Sequence, residues 1–302
     1  MPEPDAVEVR TIRTTDGRSI ELRLGGPAEG TVVLWHHGTP GGAYPPAGLV
    51  EALAGRGLRY VGLTRPGYAG STRAPGRRVG SVADDAVAAL DALGVGRCYV
   101  LGESGGGPHV LACAALIPER VIAATAIASV APYDAPGLDY LGGMGPENVA
   151  EFGATLAGPA ELEAFLEPDA AAWSDVTEAQ VAEAFGGLVD DVDRAALTGP
   201  YATSVAADIR LGLSSGIWGW FDDDVAFVRP WGFGLDAIPV PLDLWQGGHD
   251  RMVPYAHGKW LAANVHGPAV RAHLLPEHGH LSLAAALLDE ILDRLTSPGV
   301  PR

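Results

Sequence analysis

Three side chains in this 302-residue sequence have the types and placing to move an acyl group: Ser104, Asp250 and His280. A serine hydroxyl is a weak nucleophile until a neighbouring base takes its proton. Histidine can do that near neutral pH, and a carboxylate behind it fixes the ring's tautomer and stabilises the imidazolium. Ser104 sits in Gly102-Glu103-Ser104-Gly105-Gly106. Among 41 glycines, a Gly-x-Ser-x-Gly pentapeptide alone also fits an ordinary strand-to-helix turn. The flanks make it more specific. A short apolar run from Cys98 leads in, and a small-residue helix from Val110 to Leu116 leads out. Strand, tight turn and helix lift a serine above a sheet and aim helix N–H groups at the same point. Glycine at 102 and 106 leaves room for that turn.

The partners have competitors. Asp250 follows an apolar run at 240–245 and the turn Gln246-Gly247-Gly248-His249; Asp134 follows the run at 121–127, between Pro132 and Pro136. The Gly-Gly turn lets Asp250 swing toward His280, whereas Asp134 reads as a solvated turn carboxylate. His280 closes Pro276-Glu277-His278-Gly279-His280 and opens the last helix; it could instead be a surface cap, and His278 is the other candidate base. A second place for oxyanion donors is His36-His37-Gly38-Thr39-Pro40-Gly41-Gly42. Pro40 has no N–H, which favours Thr39, with Gly38 behind it. His37 reads as structural, packed under this loop. Glu103 reads as a pocket-edge or solvated carboxylate. His36 and His249 take no role.

The elements that must hold these groups alternate. Residues 6–25 read as a hairpin around Asp16-Gly17-Arg18, and Thr31-Val32-Val33-Leu34-Trp35 as a strand buried on both faces. A helix at 47–55, a strand at 58–63 and the turn-rich loop Arg65-Pro66-Gly67-Tyr68-Ala69-Gly70-Ser71 come next. A helix at 81–94 precedes the serine strand. This rhythm predicts a mostly parallel sheet flanked by helices, an α/β class. It breaks across 132–232, read as a helical insertion closing over the sheet edge, with 1–131 and 233–302 as the core. Within it, Pro159 suits a helix start, Thr177-Glu178-Ala179-Gln180 a capping box, and 200–213 a helix. Trp218, Trp220, Phe227 and Trp231 either line a pocket or pack the insertion onto the core. As pocket walls they predict an uncharged or weakly polar substrate. Strand rhythm returns at 240–245 and 269–275, with a helix at 255–263.

Composition narrows the partners. Hydrophobic residues are 47% and charged ones 19%, which suits a globular enzyme. A net charge of −17 opposes binding to nucleic acid or an anionic membrane. No apolar run reaches the ~18 residues of a transmembrane helix. The acidic start Met1-Pro2-Glu3-Pro4-Asp5 predicts no secretory signal, and hence a cytoplasmic location. Cys98 and Cys113 read as buried apolar residues. The histidines lack metal-ligand spacing, so neither metal nor cofactor is expected, and the expected partner is a small-molecule substrate.

With His37-Gly38-Thr39-Pro40, Gly102-Glu103-Ser104-Gly105-Gly106, Gly248-His249-Asp250 and Gly279-His280-Leu281 in this order, the sequence resembles the α/β-hydrolase fold over nearly its whole length. The resemblance implies a serine nucleophile and an oxyanion hole from the Thr39 and Gly105 amides. The His-Gly-Thr-Pro-Gly-Gly loop is also similar to that of proline iminopeptidases. Those usually carry another glycine where Thr39 stands and a tryptophan where Gly105 stands, so this chain departs from the peptidase pattern. An aspartate nucleophile would point to dehalogenases or epoxide hydrolases; Ser104 argues against both. The expected activity is cleavage of a small carboxylic ester through an acyl-enzyme. The alternatives are an amidase or aminopeptidase, a biosynthetic acyl-transfer or lactone-forming enzyme, and a silent small-molecule binder.

Overall fold

The computed structural model describes residues 7–297; Met1 to Asp5, with the expectation drawn from them, lie outside that range. Eight strands form one sheet: β1 (Glu8–Arg13), β2 (Ser19–Gly25), β3 (Thr31–His36), β4 (Leu58–Leu63), β5 (Cys98–Glu103), β6 (Val121–Ile127), β7 (Leu242–Gly247) and β8 (Val270–Leu275). Their spatial order is β1-β2-β4-β3-β5-β6-β7-β8. β1 and β2 form the opening hairpin, and β2 meets β4 antiparallel; every later pairing is parallel. The loops after β3, β4, β5, β6, β7 and β8 therefore emerge along one edge, where open α/β sheets build their sites.

The pleat divides the core in two. Side chains alternate across a strand, so Val32 and Leu34 of β3 enter one apolar cluster while Val33 and Trp35 enter another. The first cluster is covered by α2 (Val82–Ala92), α3 (Gly107–Leu116) and α10 (Tyr255–Asn264). The second is covered by α1 (Leu49–Gly55) and α11 (Leu281–Thr296). Both faces are shielded, which is why β3 reads as an unbroken apolar run rather than an alternating one.

Several elements start or end one or two residues from the expected positions, and two departures are specific. The strand expected at 240–245 is Leu242–Gly247, because Pro241 has no N–H to give to the ladder. At the expected capping box, the Thr177 amide donates to Gln180 Oε1 at 3.2 Å, but only the one-turn helix α6 (Val181–Ala184) follows.

The stretch 132–232 holds six helices: α4 (Pro146–Ala157), α5 (Pro159–Trp173), α6, α7 (Asp191–Ala196), α8 (Gly199–Leu213) and α9 (Trp218–Phe227). Pro146 and Pro159 open their helices, where a missing N–H costs nothing. Leu162, Leu166, Ile209 and Leu213 give the insertion an apolar centre of its own, and Tyr68 from the loop after β4 plugs into it. Among the described residues no helix is long and apolar enough to cross a membrane.

Candidate active site

Ser104 follows directly on β5 with φ +53°, a left-handed conformation that β5 and α3 impose from both sides. The turn closes because residue 106 is glycine: a Cβ there would strike the His36 carbonyl on β3. Residue 105 has a different constraint. A Cβ at Gly105 would run into the Thr39 side chain, so the threonine fills the space beside the serine that a larger residue 105 would need.

His280 stands at the N-cap of α11, and its Nδ1 meets Asp250 Oδ2 at 2.7 Å. That oxygen also accepts from Gln246 Nε2 at 2.8 Å, and Asp250 Oδ1 accepts the amides of Met252 at 2.9 Å and Val253 at 2.7 Å. The carboxylate is thus aimed by donors on both of its oxygens. Burial disfavours the His280 imidazolium, but Asp250 in contact, with Asp193 and Glu103 near, raises its pKa above the ordinary value. Asp134 is an exposed turn residue, and His278 is half-buried with its carbonyl bound to the His249 amide. Asp250 and His280 are the pair that the structure brings together.

The loop carrying Thr39 is held from behind. The Arg65 guanidinium donates to the carbonyls of His37 at 2.5 Å and Gly38 at 2.8 Å, and to Thr39 Oγ1 at 3.0 Å. Asp223 of α9 is fully buried and accepts from Arg65 at 2.6 Å, Arg77 at 2.7 Å, Tyr68 at 2.8 Å and Thr39 Oγ1 at 2.7 Å. Such an ion pair tolerates burial because nearly every lone pair is used. His37 Nε2 accepts the Arg65 amide at 3.1 Å while Nδ1 lies 2.7 Å from the Gly38 carbonyl. Acceptor at one nitrogen and donor at the other define a neutral ring, and burial pushes its pKa well down.

Two further carboxylates of the insertion reach the sheet edge that carries Ser104 and His280. Asp193 of α7, buried, accepts the amides of His280 at 2.9 Å, Leu281 at 3.0 Å and Ser282 at 2.8 Å. It satisfies three of the orphan N–H groups at the start of α11 and so fixes the helix that presents His280. Asp208 of α8 accepts the amides of Gly42 at 2.9 Å and Tyr44 at 2.7 Å. Sequence reading missed all three. Its one signal was the run Asp222-Asp223-Asp224 inside an aromatic-rich stretch, where three acids can be buried only with partners.

Ser104, Gly105 and Thr39 share the wall of a cavity of about 320 Å³ under the insertion. Trp220 and Phe227 line it, while Trp218 and Trp231 do not. Trp218 instead lies under the Arg73 guanidinium, 3.9 Å from ring centre, and Trp231 is buried in the core with Nε1 on the Phe227 carbonyl. The same wall carries Glu147, Glu151, Asp169 and Asp224, which the sequence reading of an apolar pocket left out. Glu103 is not fully solvated either: it shares a second cavity of about 90 Å³ with Ser104, His280 and Tyr201, and burial lifts its pKa to about 7.

The family model for the alpha/beta hydrolase fold matches residues 31–284, and the chain belongs to that family. It is 30% identical over 298 residues to the Variovorax paradoxus protein named "Putative carbamate hydrolase RutD", covering 93% of this chain and 99% of that one. It is 29% identical over 139 residues to epoxide hydrolase B of Mycobacterium tuberculosis, a match to 44% of this chain and only 38% of that enzyme's length. Among solved structures, an epoxide hydrolase from Vigna radiata superposes with a TM-score of 0.69 at 18% identity, covering 98% of each chain. At that identity the likeness shows a shared fold.

Proposed function

We infer that the chain is a serine hydrolase that cleaves a small carboxylic ester through an acyl-enzyme. The observation that carries this reading is the His280–Asp250 pair, 2.7 Å apart, on the same sheet edge as a serine held at φ +53°. Ser104 Oγ attacks the ester carbonyl as His280 Nε2 takes its proton. The Thr39 and Gly105 amides receive the oxyanion. His280 then returns the proton to the departing alkoxide, and water repeats the sequence to release the acid. Serine at position 104, where an aspartate would suit an epoxide hydrolase, favours acyl transfer over epoxide opening. We place the enzyme in the cytoplasm, where its two buried free cysteines stay reduced.

A fluorophosphonate probe tests the reading. Stoichiometric labelling of the wild-type chain, lost in Ser104→Ala, is expected. A folded chain that resists the probe and turns over no ester would be a small-molecule binder of the same fold.

A further inference from the structure

The three consecutive aspartates of α9 have unequal surroundings. Residues on a helix are turned by about 100° from one to the next, so three in a row face three directions. Asp222 meets Arg73 at 2.9 Å through both oxygens, and Asp223 is enclosed by Arg65, Arg77, Tyr68 and Thr39. Asp224 is 1% exposed, lines the large cavity, and its Oδ2 has no hydrogen-bond donor. Glu151 stands directly beside it: the two carboxyls share a hydrogen bond, and Glu151 also accepts from Trp220 Nε1 at 2.7 Å. Glu147 Oε2 is buried without a donor, and Asp169 completes the set. Among the described residues, no lysine, arginine or histidine lines this cavity.

Buried carboxyls without counter-charge are expensive, and Asp85, Asp193, Asp222, Asp223, Asp243 and Asp250 each meet a cation or backbone amides. Here burial, with Asp169 near, pushes Glu151 up to about 7, and burial with the Glu151 carboxyl in contact pushes Asp224 well above the carboxylate range. The pair keeps protons that a cation beside it would displace.

The cavities also orient a substrate. His280 hands its proton to the leaving group, and His280 lines only the small cavity, with Ser104 and Glu103. The leaving group belongs there. The large cavity touches Ser104, Gly105 and Thr39 but not His280, so the acyl part extends into it.

Building on the serine-hydrolase reading, we propose that the acyl part of the substrate carries an ammonium group, bound against the Asp224–Glu151 pair among the aromatic walls of the large cavity. The aromatic faces of Trp220, Phe152 and Phe227 suit a cation on a short apolar stem. The overall negative charge of −17 draws such substrates toward the site. The reaction is ordinary ester cleavage: the Ser104 Oγ–acyl bond forms as the ester C–O bond breaks, and the alcohol leaves with the proton from His280. Water then takes the place of the alcohol, giving a free amino acid and the regenerated hydroxyl.

The test uses methylumbelliferyl esters of ω-amino acids of graded chain length beside isosteres ending in methyl instead of ammonium. At the length that reaches Asp224, kcat/KM for the amino ester should exceed that of its isostere by about tenfold or more, the scale of one charge-assisted contact. Asp224→Asn and Glu151→Gln should each reduce that ratio toward one. Probe labelling of Ser104 in both variants separates a lost preference from a lost fold. If Ser104 labels and methyl-terminated esters turn over, but amino esters gain nothing at any length, the ammonium site is wrong and the hydrolase reading stands. If Ser104 neither labels nor turns over any ester, titration of wild type and Asp224→Asn with n-butylammonium chloride, against 1-butanol, decides the site alone. Saturable binding of the amine that weakens in the variant supports the site, and equal response to amine and alcohol overturns it.

Discussion

Two sets of carboxylates hang from the same helical insertion, and they live under opposite conditions. Asp193, Asp208 and Asp223 face the sheet edge and meet amides or guanidinium groups at 2.6–3.0 Å. Glu147, Glu151, Asp169 and Asp224 face the cavity, with one or no donor to the oxygens that matter. The first set spends its charge on the protein: Asp193 fixes the His280 helix, Asp208 the loop after β3, and Asp223 the Thr39 side chain. Glu151 and Asp224 of the second set keep protons instead, because burial raises their pKa values. The insertion therefore braces the edge that carries Ser104, Asp250 and His280 and also walls the cavity beside Ser104.

The comparison presupposes that the edge is catalytic, and the largest expected effect tests that first. Ser104→Ala should lower kcat by about 10⁶ while thermal unfolding stays close to wild type. Turnover within tenfold of wild type would remove the serine from the mechanism. Asp250→Asn should keep the packing but present the wrong His280 tautomer, at a cost of about 10⁴ in kcat. Asp134→Asn should stay within a few fold. The reverse result would move the acid to the loop after β6.

The paired set should then fail structurally. Asp223→Ala leaves Arg65 and Arg77 buried without their carboxylate, which should cost about 3–5 kcal/mol in denaturant unfolding. If that variant unfolds at the wild-type midpoint, the buried pair does not hold the loop. Asp193→Ala should cost less, about 1–3 kcal/mol for the lost amide contacts, and should depress kcat more than it alters KM, since His280 loses its support.

Proton titration separates the two regions most finely. His280 must be neutral to accept the serine proton, and Asp250 holds its pKa above 6.5. The acid limb of kcat/KM should accordingly lie above that value and move to lower pH in Asp250→Asn. Glu151 has the opposite consequence for stability. Its folded pKa of about 7 lies above the ordinary 4.5, so the proton it keeps stabilises the fold below that value. This contribution should fade as pH rises toward 7. Glu151→Gln should flatten melting temperature against pH across that window, and an unchanged profile would mean that the cavity acid is ordinarily solvated.

Much of the core was legible because its signals are local. The apolar runs of β3 and β5 declare strands buried on both faces. Gly102 and Gly106 around Ser104 declare a turn too tight for side chains. Asp250 and His280 each follow a strand that ends on the same edge as Ser104. A parallel sheet brings such loops together whatever their separation in sequence. Even Gly105 had a readable oddity beside Thr39, whose reason appeared once the threonine was seen occupying the space.

The insertion was not legible in that way. Asp222, Asp223 and Asp224 are neighbours in sequence, identical in chemistry and all buried, yet one meets Arg73, one locks the Thr39 loop and one faces an open cavity. No propensity or spacing distinguishes them. Their roles were decided by how α9 is rotated against the sheet edge, and that rotation is set by long-range packing of Tyr68, Trp220 and Phe227 into two different cores. The sequence by itself determined which atoms can do the chemistry, because a nucleophile and its turn are written in adjacent residues. Only the tertiary structure decided which charges support those atoms and which line the cavity beside them, because a carboxylate's role depends on what stands opposite it.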